Sequence, residues 1–254
     1  MPTLPRTLLL ALMAALIGDA ALAEPYVRLG VGADGSLPAT FRDRDCDAVA
    51  PPALFGCGDG RNGEPLQATG AFGTSVGLDA GVGYRFNSWL RGEALLNYRP
   101  SYQYSGQANF LGGGSPQPLE ADLSSVAGFG VGYVDLPRLG RVQPYLGAGV
   151  GVARNRISSV EYRFPSLPGD ASTTIAGGTH TGVAWLLTAG LAVPLRERLS
   201  MDLAYRYTDL GRVQTDAGNA TIERATGRRS LEIAGTQSSL QTHGVMLSLR
   251  YAFR

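Results

Sequence analysis

The chain has 254 residues, a formal net charge of +1 at pH 7, 35 glycines and two cysteines. Its basic residues are all arginine, because the sequence contains no lysine. Glycine is about twice as frequent as the ~7% usual in proteins. The balanced charge argues against a nucleic-acid binder, which needs a basic surface for phosphates. Beyond the N-terminal region no apolar stretch is long enough for a membrane-spanning helix, so none is predicted.

The first residues have the pattern of a secretory signal peptide. Arg6 gives a positive start, residues 7–18 form a short apolar stretch, and Ala21 and Ala23 are small residues where a signal peptidase reads the chain. We therefore expect cleavage after Ala23. This divides the chain into a signal peptide at 1–23 and a single mature domain at 24–254.

Both cysteines lie in one segment rich in proline and glycine, CDAVAPPALFGC, as Cys46 and Cys57. In an exported protein this spacing predicts a local disulfide bond across a surface loop. Closing so short a loop contributes roughly 3 kcal/mol on the chain-entropy estimate. The segment has no histidine, and the sequence predicts neither a metal site nor a cofactor.

Apolar and polar residues alternate through most of the mature chain, which is the period of β-strands. Eight segments have this pattern: 24–33, 69–85, 90–99, 120–134, 142–154, 181–193, 199–209 and 243–254. Each is long enough to cross a bilayer as a tilted strand, which takes about 9–11 residues. The last segment has an apolar face and Arg250 on the other. Taken alone it fits either a soluble sandwich, with Arg250 in water, or a membrane barrel, with Arg250 inside.

The connecting segments favour the barrel. Three are short, at 86–89, 135–141 and 194–198, and four are long and polar, at about 34–68, 101–119, 155–180 and 210–239. Short and long connections alternate, which is typical of outer-membrane barrels with periplasmic turns and outer loops. The sequence thus predicts an all-β, transmembrane, antiparallel up-and-down barrel of eight strands, with four long outer loops and three short periplasmic turns. Ten strands remain an alternative, because the first and fourth loops have room for an extra hairpin.

Aromatic residues fall into two groups along the predicted strands, as in the two interfacial girdles of a barrel. Near the turns we place Tyr84, Phe86, Tyr133, Tyr251 and Phe253, and toward the loops Tyr98, Trp185, Tyr205 and Tyr207.

The inward face of the predicted barrel carries charges of both signs: Arg28, Asp79, Arg91, Glu93, Asp202, Arg206 and Arg250. Unpaired buried charges are costly, so our hypothesis is an ion-pair network that plugs the barrel. The Gly-x-Gly runs on the fourth and fifth strands are predicted to leave room for these arginines.

Two features of the sequence could be associated with catalysis. The stretch GVGADG at 30–35 matches a nucleotide-binding motif, but no helix pattern follows it. His180 and His243 are the only histidines, and no His-x-Ser motif of outer-membrane deacylases is present. We therefore expect no enzymatic activity and no catalytic residues.

Four stretches resemble OmpA-like and opacity-type β-barrels, the small porin-family surface proteins of Gram-negative bacteria: PYLGAGVGVAR at 144–154, AWLLTAGLAV at 184–193, DLAYRYTDLG at 202–211 and LRYAF at 249–253. The resemblance extends over the mature chain. It implies an eight-stranded barrel in the outer membrane, inserted by the assembly machinery through the C-terminal strand.

From the residues and the resemblance together we expect a non-enzymatic surface protein that supports envelope integrity or acts as an antigen or adhesin through its loops. The alternative is a narrow pore for small solutes, and a distant one is an enzyme acting on lipid or peptide. The expected partners are outer-membrane lipid and lipopolysaccharide, and a host or surface ligand at the loops. The sequence predicts a monomer.

Overall fold

The computed structural model describes residues 24–53, 56–169 and 171–253, so the predicted signal peptide lies outside the described residues. Within these ranges no helix is long and apolar enough to cross a membrane. Fourteen strands are described: β1 (Glu24–Ser36), β2 (Pro38–Asp43), β3 (Ala68–Ala71), β4 (Thr74–Arg85), β5 (Leu90–Ala108), β6 (Pro118–Asp135), β7 (Gln143–Ile157), β8 (Val160–Phe164), β9 (Ala171–Ile175), β10 (Gly178–Pro194), β11 (Leu199–Gln214), β12 (Gly218–Arg224), β13 (Gly227–Ile233) and β14 (Thr236–Ala252).

Eight of these strands form a closed ring. In the order β1, β4, β5, β6, β7, β10, β11 and β14, each pairs antiparallel with the next, and β14 pairs with β1. Closure gives every wall strand a hydrogen-bonded neighbour on both sides, as backbone groups in a bilayer require. The predicted eight-stranded antiparallel barrel is confirmed.

The wall is apolar outside and mixed inside, as β14 illustrates. Leu247, Leu249 and Tyr251 point outward and are 40–50% exposed, whereas the alternating Ser248 and Arg250 are buried. Because side chains alternate between the two faces of a strand, one period-2 pattern produces both surfaces. The apolar face of the last segment is the outer wall, and Arg250 lies inside.

The two ends of the barrel differ. At the turn end, links 86–89, 136–142 and 195–198 are short, whereas the loop end carries the longer connections 37–73, 109–117, 158–177 and 215–235. The second loop is shorter than predicted, because β5 continues past a register shift between Arg99 and Tyr102 and β6 begins earlier. That irregularity interrupts the period-2 alternation, which is why the predicted strand ends at Arg99.

The first, third and fourth loops contain strands of their own. β2 and β3 bridge β14 and β5, while β8, β9, β12 and β13 extend in that order from β6. These strands add to the sheet outside the ring and leave the ring at eight strands. The ten-strand alternative is therefore wrong, although the first and fourth loops do hold additional strands.

The facing of β6 differs from the prediction. Phe129, Val131 and Tyr133 point inward and are at most 4% exposed, whereas the intervening glycines lie on the outer face. The reason lies on β7, whose inward glycines leave space: a Cβ at Gly147 would stand 2.6 Å from the Tyr133 ring, and one at Gly149 would stand 2.9 Å from Val131. Tyr133 therefore does not belong to the aromatic girdle, and aromatic and aliphatic side chains, rather than arginines, fill the space over the β7 glycines.

The outward wall gives a first prediction. Val31 is 48% exposed on β1 and pairs with Leu247 and Leu78, whereas Val49 is 87% exposed in the first loop. We expect Val31→Arg to lower the free energy of unfolding by about 2–4 kcal/mol, because it places a charge in lipid. Val49→Arg, the same substitution in water, should stay within about 0.5 kcal/mol of the unsubstituted chain. Urea unfolding of the refolded barrel in lipid vesicles measures both. Equal losses would mean that Val31 does not face lipid.

Candidate functional site

Side chains occupy most of the barrel interior, as the narrow bore of eight strands favours. A cavity of about 990 Å³, lined by Tyr26, Asp135 and Arg250 among others, lies at the turn-end mouth. Buried inside the ring are five arginines and five carboxylates: Arg28, Arg91, Arg99, Arg206 and Arg250 with Asp34, Asp79, Glu93, Asp135 and Asp202. All seven residues that the sequence assigned to the inward face are among them. Because positive and negative side chains are equal in number, each charge can find a partner of opposite sign inside the barrel.

The layer nearest the turn end is centred on Asp135, the last residue of β6. Arg91 on β5 donates from Nε and Nη2 to Oδ1 of Asp135 at 3.0 and 2.8 Å, and Arg85 approaches the same carboxylate at 3.4 Å. The Arg91 guanidinium also lies 4.7 Å from the ring centre of Tyr133 and 5.1 Å from that of Tyr145. A planar guanidinium can bind a carboxylate through its edge while stacking on rings through its faces, which lysine cannot do.

Glu93 is the centre of the next layer. Nη2 of Arg28, on β1, lies 2.7 Å from Oε1 of Glu93, and the Tyr26 hydroxyl donates to its Oε2 at 3.1 Å. A Cβ at Gly81 would lie only 2.7 Å from Oε1 of Glu93, so the absence of a side chain on that part of β4 makes room for the carboxylate.

Asp79 on β4 joins this layer to the one above. Arg206 Nη2 donates to Oδ2 of Asp79 at 2.8 Å, Asn97 Nδ2 donates to Oδ1 at 2.5 Å, and Arg28 Nη2 lies 3.8 Å away. Three wall strands besides β4 thus contribute a side chain to one carboxylate. Such a buried carboxylate is stabilised only while these partners remain.

Two further pairs complete the charged interior. Arg250 lies 3.4 Å from Asp202 and donates from Nε to the Ser200 hydroxyl at 3.1 Å, and Arg99 donates to Asp34 higher in the barrel. The sequence reasoning left Asp34, Arg99 and Asp135 out of the network.

The sequence nevertheless contains signals that point to these three residues. Asp34 is in phase with Arg28 on β1, and Arg99 is in phase with Arg91 on β5. Asp135 was assigned to a turn, but it is the last inward position of β6.

An apolar layer lies above the charges, toward the loop end. It is formed by ring residues that are at most 2% exposed: Tyr102, Tyr104, Leu119, Leu123, Ile157, Leu210, Val213 and Leu240. From the first loop, Phe41 and Phe72 pack on Tyr104, with ring centres 5.1 and 4.9 Å away. Among the loop-end residues, burial raises the pKa of the Tyr162 phenol above its ordinary value, so this tyrosine stays neutral in the apolar surroundings. Most of these residues lie in segments that the sequence predicts as long polar loops, at 101–119, 155–180 and 210–239.

The girdle candidates other than Tyr133 lie on the outer wall; all of these are exposed except Tyr207, which is half-buried. Near the turns the Tyr84 and Phe86 rings lie 5.3 Å apart and those of Tyr251 and Phe253 lie 5.2 Å apart, while Trp185 and Tyr207 pair at 5.2 Å. The remaining two, Tyr98 and Tyr205, are likewise exposed.

The other residues singled out by sequence lie outside the interior. Cys46 and Cys57 form a disulfide bond in the first loop. His243 lies beside Tyr205, with its Nδ1 3.2 Å from the tyrosine hydroxyl in an exposed contact. In the described parts of the chain, no group of three histidine, cysteine or acidic side chains is arranged to hold a metal ion.

Comparison with known proteins identifies the family. The model of the outer membrane protein beta-barrel domain matches residues 7–253. This chain belongs to that outer-membrane β-barrel family. An uncharacterized protein of Brucella suis biovar 1 is 29% identical over 203 residues, which are 72% of this chain and 69% of the relative. One of Brucella abortus strain 2308 is 28% identical over 204 residues, with the same shares.

Solved structures of similar proteins have low sequence identity to this outer-membrane barrel. OprG from Pseudomonas aeruginosa matches with a TM-score of 0.49 and 14% identity, over 91% of this chain and 96% of OprG. Neisserial surface protein A matches with a TM-score of 0.38 and 14% identity, over 91% of this chain and 99% of that protein.

Membership in the family gives the protein its location, the outer membrane. In barrels of this kind the short turns face the periplasm and the long loops face outward. The charged layers of this outer-membrane barrel therefore begin at the periplasmic mouth, and the apolar layer lies on the extracellular side.

The contacts of Asp79 give a second prediction. We expect Arg206→Ala to lower the free energy of unfolding by about 3–5 kcal/mol, because it removes the main partner of a buried carboxylate. Arg212→Ala is the control on the same strand, since Arg212 is exposed, and should cost less than about 0.5 kcal/mol. Adding Asp79→Asn to Arg206→Ala should recover part of the loss. If the double variant is no more stable than Arg206→Ala, lost volume rather than the unpaired charge is responsible.

Proposed function

We propose that this protein is a closed, non-enzymatic outer-membrane barrel that acts through the surface it presents outside the cell, in envelope integrity and in contacts as an antigen or adhesin. The observation that carries this proposal is the filled interior. Paired charges occupy the periplasmic part of the barrel, and the apolar layer occupies the part below the outer loops.

A hydrated ion would meet two obstacles in such an interior. It would first have to compete for arginines and carboxylates that are already bound to each other. It would then have to shed most of its water to pass the apolar side chains of Leu210, Val213 and Leu240, where the buried hydroxyls of Ser238 and Thr242 on β14 replace few of the lost contacts. Apolar constrictions oppose ion passage by excluding water.

The outer surface contains regular strands that could support a binding role. β2, β3, β8, β9, β12 and β13 continue the sheet beyond the ring, and the Cys46–Cys57 disulfide ties the first loop. We call these six strands and their connecting loops the platform. Binding residues in many proteins lie on loops held by a rigid scaffold, and the platform fits that arrangement.

The absence of enzymatic activity is part of the proposal. The buried acids of the interior are engaged with arginines, and His243 lies on the outer wall beside Tyr205 rather than beside an acid or a serine. A general base must lie within hydrogen-bond distance of the substrate proton that it removes.

The proposed membrane partners follow from the wall. Its apolar outer face suits the acyl chains of outer-membrane lipid and lipopolysaccharide. We propose β14 for contact with the insertion machinery, since Tyr251 near its end and Phe253 just after it are exposed.

Single-channel conductance of the refolded mature protein, residues 24–254, in a planar bilayer tests this proposal. We expect no steady openings, with heat-modifiable gel mobility confirming that the barrel is folded. The double variant Arg91→Ala with Arg206→Ala should be less stable yet remain silent, because the apolar layer is intact. Steady openings of the unsubstituted barrel would overturn the proposal in favour of a narrow pore.

Trypsin treatment of intact cells tests which surface faces outward. We expect cleavage at the tip of the β12–β13 hairpin, where Arg224 and Arg228 are exposed, because the loop end lies outside. Arg196 and Arg198 are equally exposed but lie in a periplasmic turn, so they should be cut only after the outer membrane is opened. Cleavage at Arg196 or Arg198 in intact cells would show that the turns, rather than the long loops, face outward.

A further inference from the structure

The strand β13 is a free edge of the platform. The sheet runs from β6 through β8, β9 and β12 to β13, and β13 pairs with β12 alone among the described strands. Residues 227–232 are exposed along it, and only Ile233 is buried. An exposed edge offers unpaired backbone N–H and C=O groups to another strand, and proteins usually protect such edges with charges.

The charges of this edge are unevenly distributed. In the sequence GRRSLEI, Arg228 and Arg229 stand near the start and Glu232 stands near the end. Arg228 contacts Glu223 across the hairpin, in an exposed pair. Because one end of the strand is basic and the other is acidic, a parallel copy would align like charges, whereas an antiparallel copy would bring opposite charges together.

Two antiparallel β13 strands can pair near the middle of the strand in three registers. In an antiparallel pair, facing residues share one face of the sheet, so identical strands must pair symmetrically about a residue. Pairing about Arg229 places two arginines opposite each other, and pairing about Leu231 leaves Glu232 opposite Ser230. Pairing about Ser230 places Arg228 of each copy opposite Glu232 of the other, and the symmetry makes this contact twice.

We infer that β13 pairs antiparallel with β13 of a second copy of this chain, in the register centred on Ser230. This inference rests on the proposed function in one respect, since it names a partner for the outward platform. The ring itself stays a single-chain barrel, and the contact lies outside it. The inference departs from the sequence prediction of a monomer. Seven residues a side make a small interface, so the association is weak and reversible.

Disulfide trapping tests the register. The two native cysteines are bonded to each other, so Ser230→Cys introduces a single free thiol. In the proposed register the two Cα atoms at position 230 face each other at about 4.5–5.5 Å, a separation that a disulfide bridges. Leu231→Cys is the control, because two residues of offset place its copies roughly 8 Å apart.

We expect covalent dimers of the Ser230→Cys protein under mild oxidation in lipid vesicles, and far fewer of the Leu231→Cys protein. Equal yields at the two positions would indicate random collision, and the absence of dimers at position 230 would show that the strands do not meet. Either result overturns the inference.

Charge reversal in the Ser230→Cys background tests the partner residues. Arg228→Glu and Glu232→Arg should each lower the dimer yield severalfold, because like charges then face each other twice. A mixture of the two single variants should recover the yield as mixed dimers, and so should the protein carrying both reversals. A misfolded hairpin cannot produce that recovery, so failure of both restorations overturns the inference.

The two proposals fail separately. If the barrel does not conduct and forms no dimers, the proposed closed barrel stands and β13 self-pairing is refuted. If the barrel conducts and forms register-specific dimers, the closed barrel is refuted and the pairing stands.

Discussion

The closure of eight strands into one ring is the constraint on which the rest of the structure depends. In a bilayer each backbone N–H and C=O group needs a partner within the protein, so the wall must join its first strand to its last. Eight strands leave a bore only about as wide as the side chains that fill it. The inward residues are therefore chosen by fit and by charge balance, whereas the outward residues need only be apolar.

The filling explains the use of arginine. Arg91 donates to Asp135 from Nε and Nη2 while its guanidinium lies 4.7 and 5.1 Å from the ring centres of Tyr133 and Tyr145, so one side chain is both a multiple hydrogen-bond donor and a cation–π partner. Buried ion pairs add little stability over apolar packing, but removing one partner is costly. The network links particular strands at each height, since Asp79 alone has partners on three other strands, and the layer above it consists mainly of apolar side chains.

Sequence reasoning found the ring because period and loop length are local signals. It assigned β6 the wrong way round because alternation defines two faces without saying which meets lipid. The direction of the β6 side chains is decided by the next strand, where Gly147 and Gly149 leave space for them. Such a contact between strands cannot be read from the alternation within one strand. Short platform strands such as β8 and β13 were missed for a different reason. β8 has the period-2 alternation and β13 pairs with its hairpin neighbour β12, but both are shorter than a membrane-crossing strand, so their segments were assigned to loops. The ion-pair partners Asp34 and Arg99 were in phase with the inward arginines: Asp34 lay one residue beyond the predicted strand 24–33, and Arg99 was the last residue of the predicted strand 90–99.

Closing the wall removes strand edges from the membrane but not from the platform. Each added strand there covers the previous edge and exposes a new one, so the series must end on some strand, and it ends on β13. Charges on that edge discourage unspecific pairing, because most approaching strands would oppose Arg228 or Arg229 with an unsuitable residue. The same charges favour one approach, since an antiparallel copy supplies Glu232 where Arg228 needs it. Protection against aggregation and selection of one partner are then two consequences of a single charge pattern.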